Sequence, residues 1–119
     1  MTKNKKTVEK YIEGFNEGDH QKILECLTDD VVWIMPGFIN LRGKEAFDKE
    51  IENDAFTGKP EIKLLRMIEE NDVVIAEGTV KAHFKNGNLL NAVFCDVFEM
   101  QNSKIKKLST YQMNQEAEA

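Results

Sequence analysis

The chain is poor in the residues that staple, terminate or anchor structure. Of its 119 residues two are cysteine, two proline, two histidine and one tryptophan. Cys26 and Cys95 lie far apart, without a C-x-x-C or Cys/His ligand spacing, so neither a disulfide framework nor a zinc site is expected, and both read as small core residues. No apolar run approaches the ~20 residues needed to cross a bilayer. Lys3, Lys5 and Lys6 are not followed by an apolar segment, so a secretory leader is not expected and the chain reads as cytoplasmic. A formal net charge of −5 leaves no basic stripe for nucleic-acid phosphates. A Gly-rich phosphate loop, a G-x-S-x-G elbow and an H-E-x-x-H pair are all lacking, and the acidic pairs Asp29-Asp30 and Glu69-Glu70 sit at turns. No cofactor and no metal ion is therefore expected. The length suits one domain with a single core.

What is present is a clear change of period. Val8, Tyr11, Ile12 and Phe15 recur at i, i+3, i+4 and i+7, the stripe of an amphipathic helix that Gly18 can close in a left-handed cap. This aims Tyr11 at the core. Asp19 suits the N-cap of a short second helix bearing Ile23, Leu24 and Leu27, and Asp29-Asp30 is read as a turn. A strand over Val31 to Met35 stops at Pro36-Gly37, because proline cannot donate to a ladder. Phe38 to Arg42 is read as loop, and Gly43 opens a third helix that buries Phe47 and Ile51.

The second half alternates instead. Strands are predicted over Ile62 to Glu69, Val73 to Phe84, Leu89 to Met100 and Ile105 to Met113, joined at Asn71-Asp72, at a two-residue Asn86-Gly87 turn and at Gln101 to Ser103. Residues 1–6 and 114–119 are expected to be flexible, leaving residues 7–113 as the domain. The resulting fold class is α+β: three helices against one face of a strongly curved, mostly antiparallel sheet, shaped as a cone open at one end. Leu90, Ala92, Phe94, Asp96, Phe98 and Met100 share one side of a long strand. Leu89, Val93, Cys95 and Val97 on the other side are also apolar, where a solvent-facing row should be polar. Something must cover them, and a second copy of the chain packing sheet to sheet would do so.

The order helix, Gly-Asp break, short helix, strand ending in Pro-Gly, G-K-E-A helix start and long strands resembles the SnoaL-like and ketosteroid isomerase-like branch of the nuclear transport factor 2-like superfamily. The resemblance runs from about Thr7 to Met113. It implies a cystatin-like cone and homodimers through the outer sheet face. In the isomerases a tyrosine on the first helix and an aspartic acid on a long strand form an oxyanion hole; Tyr11 and Asp96 stand at the matching positions. Asp96 is the one carboxylate in its otherwise apolar row, and burial should favour its protonated, hydrogen-bond-donating form. Ketosteroid isomerase is itself the established example of that effect.

The departures carry as much information. The isomerase base precedes the proline at the first strand's end, and here that residue is Met35, which cannot carry a proton; a positioned base contributes ~10² to 10⁴ in rate. The cyclase dyad of SnoaL-type enzymes places an acid on the last strand, where L-S-T-Y-Q-M offers Tyr111 and Gln112. Limonene epoxide hydrolase-like enzymes use an Asp-Arg-Asp set, of which Asp96 and Arg66 supply two members. His20 and His83 are read as solvated or interface residues. Two function classes follow. In the first, Trp33, Met35, Phe15, Phe47 and Phe94 line an apolar pocket for a small hydrophobic, oxygen-bearing molecule. There Asp96 and Tyr11 are the candidate catalytic pair for isomerase, cyclase or dehydratase-like chemistry on a ketone of polyketide or steroid type. In the second, the cone is solid and the chain is a non-catalytic dimeric protein-interaction module.

Overall fold

Helix α1 runs Lys3–Glu17 and begins earlier than its apolar stripe. Thr2 is its N-cap, accepting the Lys5 N–H at 3.1 Å. Asn4, buried, donates through Nδ2 to Glu69 Oε2 at 3.0 Å and Asp72 Oδ1 at 3.2 Å. Through Thr2 and Asn4 the start of the chain thus meets Glu69 and Asp72. Gly18 closes α1 at φ 68°, and Asp19 caps the short α2, His20–Leu24. The two helices touch where Gly14 meets Ile23; a Cβ on Gly14 would lie 2.6 Å from the isoleucine side chain.

The computed structural model describes residues 1–115. Six strands, β1 (Leu27–Met35), β2 (Ile39–Arg42), β3 (Phe56–Glu70), β4 (Val73–Phe84), β5 (Leu89–Gln101) and β6 (Lys104–Asn114), form one curved sheet in the order β2-β1-β6-β5-β4-β3. The sheet is mixed, not purely antiparallel, because β1 lies parallel to β6. Helix α3, Lys44–Ile51, connects β2 to β3, and Phe47 is its fully buried residue. No helix among the described residues is long and apolar enough to cross a membrane.

Several boundaries differ from the sequence reading, each for a local reason. Asp29-Asp30 does not turn the chain; both are exposed within β1, where the β1–β6 register shifts between Leu27 and Val32. Pro36 and Gly37 (φ 83°) occupy the centre of a turn closed by Phe38 N–H to Met35 O at 2.9 Å, as a type II turn requires. That turn folds Ile39 back onto Met35, so the expected loop contains β2. Strand β3 starts at Phe56 rather than Ile62 because a register shift between Thr57 and Glu61 absorbs Gly58 and Pro60. Asn86-Gly87 is not a two-residue type I′ turn: only Gly87 has positive φ, and Phe84 N–H bonds Asn88 O at 2.8 Å across a three-residue loop. Asn71-Asp72 and Asn102-Ser103 are the turns with positive φ at both residues. Asn114, placed in the flexible tail, pairs with Ala92, and Gln115 N–H reaches Asn91 O at 2.8 Å; residues 116–119 lie outside the described part.

The core lies between the helices and the inner face of the sheet. Val8, Tyr11 and Ile12 of α1, Phe47 of α3, and Val31, Trp33, Val74, Ala76, Phe98, Met100 and Leu108 of the strands belong to one buried cluster.

Candidate functional site

Alternation along β5 buries Ala92, Phe94, Asp96, Phe98 and Met100 and turns Val93, Cys95 and Val97 outward. Asp96 is 7% exposed. Its Cα partners are Ala76 on β4 and Thr110 on β6, so neither adjacent strand offers it an opposite charge. Burial pushes its carboxyl from the ordinary 3.8 to about 7, with the nearby Thr110 hydroxyl opposing this by a smaller amount. Oδ1 has no hydrogen-bond partner. Buried polar atoms are nearly always paired, and one left open costs about 1–3 kcal/mol.

Tyr11 is 3% exposed on α1. Burial, and next the charge of Asp96, holds its phenol well above the ordinary 10, so it is a neutral donor at any physiological pH. Its ring packs edge-on against Phe15 (5.1 Å between centroids), Phe98 (5.5 Å) and Phe47 (6.1 Å). Trp33 stacks on Phe47 at 4.9 Å and donates its indole N–H to Thr110 Oγ1 at 3.0 Å. Thr110 is itself buried.

Of the predicted site residues, Tyr11, Phe15, Trp33 and Phe47 are thus gathered into one aromatic cluster, and the charge of Asp96 is felt at Tyr11. Phe94 is buried but sits beside that cluster, its ring lying on Gly78, where a Cβ would come within 2.7 Å. Met35 is half-buried at the end of β1. Arg66 is not brought to Asp96; it pairs with Glu77 on the outward row of β4, with two-thirds of its side chain exposed. The Asp-Arg pair of the epoxide hydrolase-like reading is therefore absent. Cys26 is buried as expected, whereas Cys95 is only half-buried, because it falls on the outward row. His83 is exposed. His20 is not simply solvated: Nδ1 lies 2.6 Å from Asp48 Oδ1 and Nε2 2.9 Å from Glu52 Oε1, clasping α2 to α3, and these two carboxylates raise its pKa.

Sequence reasoning missed Thr110. Attention fell on Tyr111 and Gln112, but Tyr111 is exposed and Thr110 is the residue registered against Asp96. Strand parity counted forward from Leu108 could have found it. Two open grooves lie elsewhere, on the outer face. One of about 600 Å³ is bordered by Leu65, Val93, Cys95, Tyr111 and Met113. A smaller polar one of about 250 Å³ is bordered by Glu61, Lys63, Lys81 and Asn91.

An α+β chain of three helices and a curved six-stranded mixed sheet, with a buried acid in an apolar row of β5, defines a class that comparison with known proteins makes specific. The family model described as SnoaL-like domain matches residues 8–108, and the chain belongs to that family. A search of curated proteins found no match. Among solved structures the chain is similar to Bal32a from a soil-derived mobile gene cassette, at 24% identity and TM-score 0.84, covering 92% of this chain and 88% of that one. It is similar to an LEH-like epoxide hydrolase from M. tuberculosis at 21% identity and TM-score 0.82, covering 93% and 83%. Similarity extends to TerC co-crystallised with polyporic acid, at 19% identity and TM-score 0.83, covering 92% and 91%. At these identities the likeness is one of fold.

Proposed function

We propose that this SnoaL-like protein binds a small, hydrophobic, oxygen-bearing molecule inside the cone that its helices and curved sheet enclose. The observation that carries the reading is the unpartnered Oδ1 of buried Asp96. A carboxyl that burial keeps largely neutral up to about pH 7 offers an O–H to a ligand oxygen, and neutral Tyr11 offers a second. Trp33, Phe15 and Phe47 make the apolar wall, with Phe94 and Met35 toward its edge. Because these rings are packed against one another, a ligand enters only as they move aside, so binding should be slower than diffusion. TerC, which shares the fold, was crystallised with polyporic acid, a relative's ligand that fits the same general reading.

If the bound molecule is turned over, Asp96 acts as acid or oxyanion donor with Tyr11 in an isomerase, cyclase or dehydratase-like step, without the base that Met35 replaces. The test is titration with a naphthol followed by quenching of Trp33, beside an Asp96→Ala control. Saturable binding that the control loses is the expected result; a wild type that shows no saturation with naphthols or with planar aromatic ketones contradicts the reading.

A second reading concerns the outer face, where Leu65, Leu89, Val93, Tyr111 and Met113 are all exposed. So many large apolar groups on one side of a sheet favour a homodimer formed through that face, which is compatible with the interior site. Light scattering of the wild type and of Val93→Asp tests it, with the variant expected to shift to monomer.

A further inference from the structure

A carboxylate oxygen only accepts hydrogen bonds, and an imidazole carries a proton on both ring nitrogens only when it is charged. His20, on α2, has one carboxylate at each nitrogen: Asp48 Oδ1 lies 2.6 Å from Nδ1, and Glu52 Oε1 lies 2.9 Å from Nε2. Both contacts are attractive only in the imidazolium. Once neutral, the ring can donate to one carboxylate and must turn a lone pair toward the other. A third of the His20 side chain is exposed, so its proton exchanges with solvent. The clasp therefore has two states, selected by pH.

What the clasp holds is a weakly anchored element. Helix α3 has eight residues, too few to be stable by itself. Gly43 gives it no side-chain N-cap, and the ion pair at its first residue, Lys44 to exposed Asp29 at 3.6 Å, is worth little. Among the described residues no other side-chain hydrogen bond or ion pair joins α2 to α3. Each carboxylate of the clasp directly follows a residue that closes the aromatic cluster. Asp48 follows Phe47, which is fully buried, stacked on Trp33 at 4.9 Å and edge-on to Tyr11 at 6.1 Å. Glu52 follows Ile51, packed half-buried against the same cluster. We propose that His20 is a proton-operated latch on α3: as the imidazolium it holds Phe47 and Ile51 against the aromatic cluster, and on losing its proton it frees the last turn of α3, so that the cluster opens more often. The inference rests on the interior-site reading above and adds its regulation, because the wall that Phe47 completes is the one a ligand has to pass.

The charges around the ring fix the sign of the effect. Asp48 and Glu52 of α3 face it directly. Of the other charged groups near α2, Asp19 is engaged in the cap, where it accepts the Lys22 N–H at 3.1 Å. Lys22 is held by Glu17 at 3.0 Å and Glu13 at 3.5 Å, both on α1. The Lys59 side chain of β3 passes over Gly18. With Asp48 and then Glu52 holding the His20 pKa above the ordinary 6.5, the latch is closed below that value and opens as pH rises through the higher folded midpoint.

The experiment is acrylamide quenching of Trp33 fluorescence across the His20 titration in the ligand-free wild type, His20→Gln and Glu52→Gln, with the His20 ring midpoint read by NMR on the same samples. In the wild type the quenching constant should rise about two- to fourfold with pH, the size expected for losing one exposed ion pair, and its midpoint should coincide with that of the ring. His20→Gln, whose amide can donate to one carboxylate as the neutral ring does, should be quenched at the high-pH level throughout. Glu52→Gln alters an exposed group and should lower the His20 midpoint, with the quenching step moving down beside it. Asp96 titrates nearby, at about 7. A step that persists undiminished in His20→Gln, or that stays put when Glu52→Gln moves the His20 midpoint, therefore belongs to another group and overturns the proposal, as does wild-type quenching that is flat over the range. The quencher needs no binding site, so failure of naphthol binding would sink the interior-site reading without touching the latch.

Discussion

The two faces of strand β5 break the ordinary rule in opposite directions. On the inner face an acid, Asp96, stands between Phe94 and Phe98 with an oxygen unpaired; on the outer face, one residue away, Val93 and Cys95 border an open groove with Leu65, Tyr111 and Met113. An exposed apolar side chain is unremarkable alone, whereas a buried unpaired polar group and a contiguous exposed apolar patch are the informative exceptions. The same alternation produces both. On the readings proposed above, the inner exception is where a small molecule would bind and the outer one where a second copy of the chain would pack.

The largest contrast is in packing. Phe98 is fully buried, and Phe98→Ala should cost about 3–5 kcal/mol, while Val93→Ala on the other face should change the stability of the monomer by less than about 0.5 kcal/mol, as urea unfolding would show. Comparable costs for the two would erase the distinction between faces.

The next effect runs the other way, because Asp96 is a burden on the fold. A carboxyl whose pKa is raised from 3.8 to about 7 keeps its proton in the folded state when the unfolded chain has already lost it. Stability therefore falls as pH rises from about 4 to about 7 and levels above that, by roughly 4 kcal/mol in all. Asp96→Asn removes the titration, so urea unfolding at pH 8 should find the variant more stable than the wild type and its pH dependence over this window flatter. A wild type whose stability rises with pH through this window would mean that Asp96 is ionised and compensated in the fold.

Much of this contrast was legible before any coordinates, because period-two alternation is a strong signal in long strands: the row containing Asp96 is buried, as its alternation predicts. The α1 stripe and its Gly18 cap were equally plain. What the sequence hid was set by pairing at a distance. Nothing local indicates that β1 runs parallel to β6 and so brings Trp33 to Thr110, or that α3 brings Asp48 and Glu52 to His20. Bulges also defeated local rules, since Asp29-Asp30 reads as a turn and Gly58 through Pro60 precede the strand expected from Ile62, yet all sit within strands whose register shifts around them.

A smaller effect separates the dimer proposal from the interior one. Val93→Asp should weaken self-association at least tenfold, or by about 1.4 kcal/mol, in sedimentation at micromolar concentration, and leave naphthol binding within twofold. Loss of both together would show that the faces are not independent. Smallest is the His20 clasp. Its pKa is raised, first by Asp48 and then by Glu52, so its contribution is fully present below about 6.5 and is lost as pH rises through the higher folded value. His20→Gln should lower the melting temperature at pH 6 by a few degrees and leave it unchanged at pH 9.

The central claim is that the inner-face acid is a neutral donor awaiting a ligand oxygen, and a planar aromatic ketone tests it most directly because a ketone can only accept. With a carboxyl that titrates near 7, the protonated fraction falls about tenfold between pH 6 and pH 8. Trp33-quenching titrations at the two values should give a Kd about tenfold weaker at pH 8, and a variant Asp96→Asn should show no such change. Equal affinity at both values, or tighter binding at pH 8, would contradict the account.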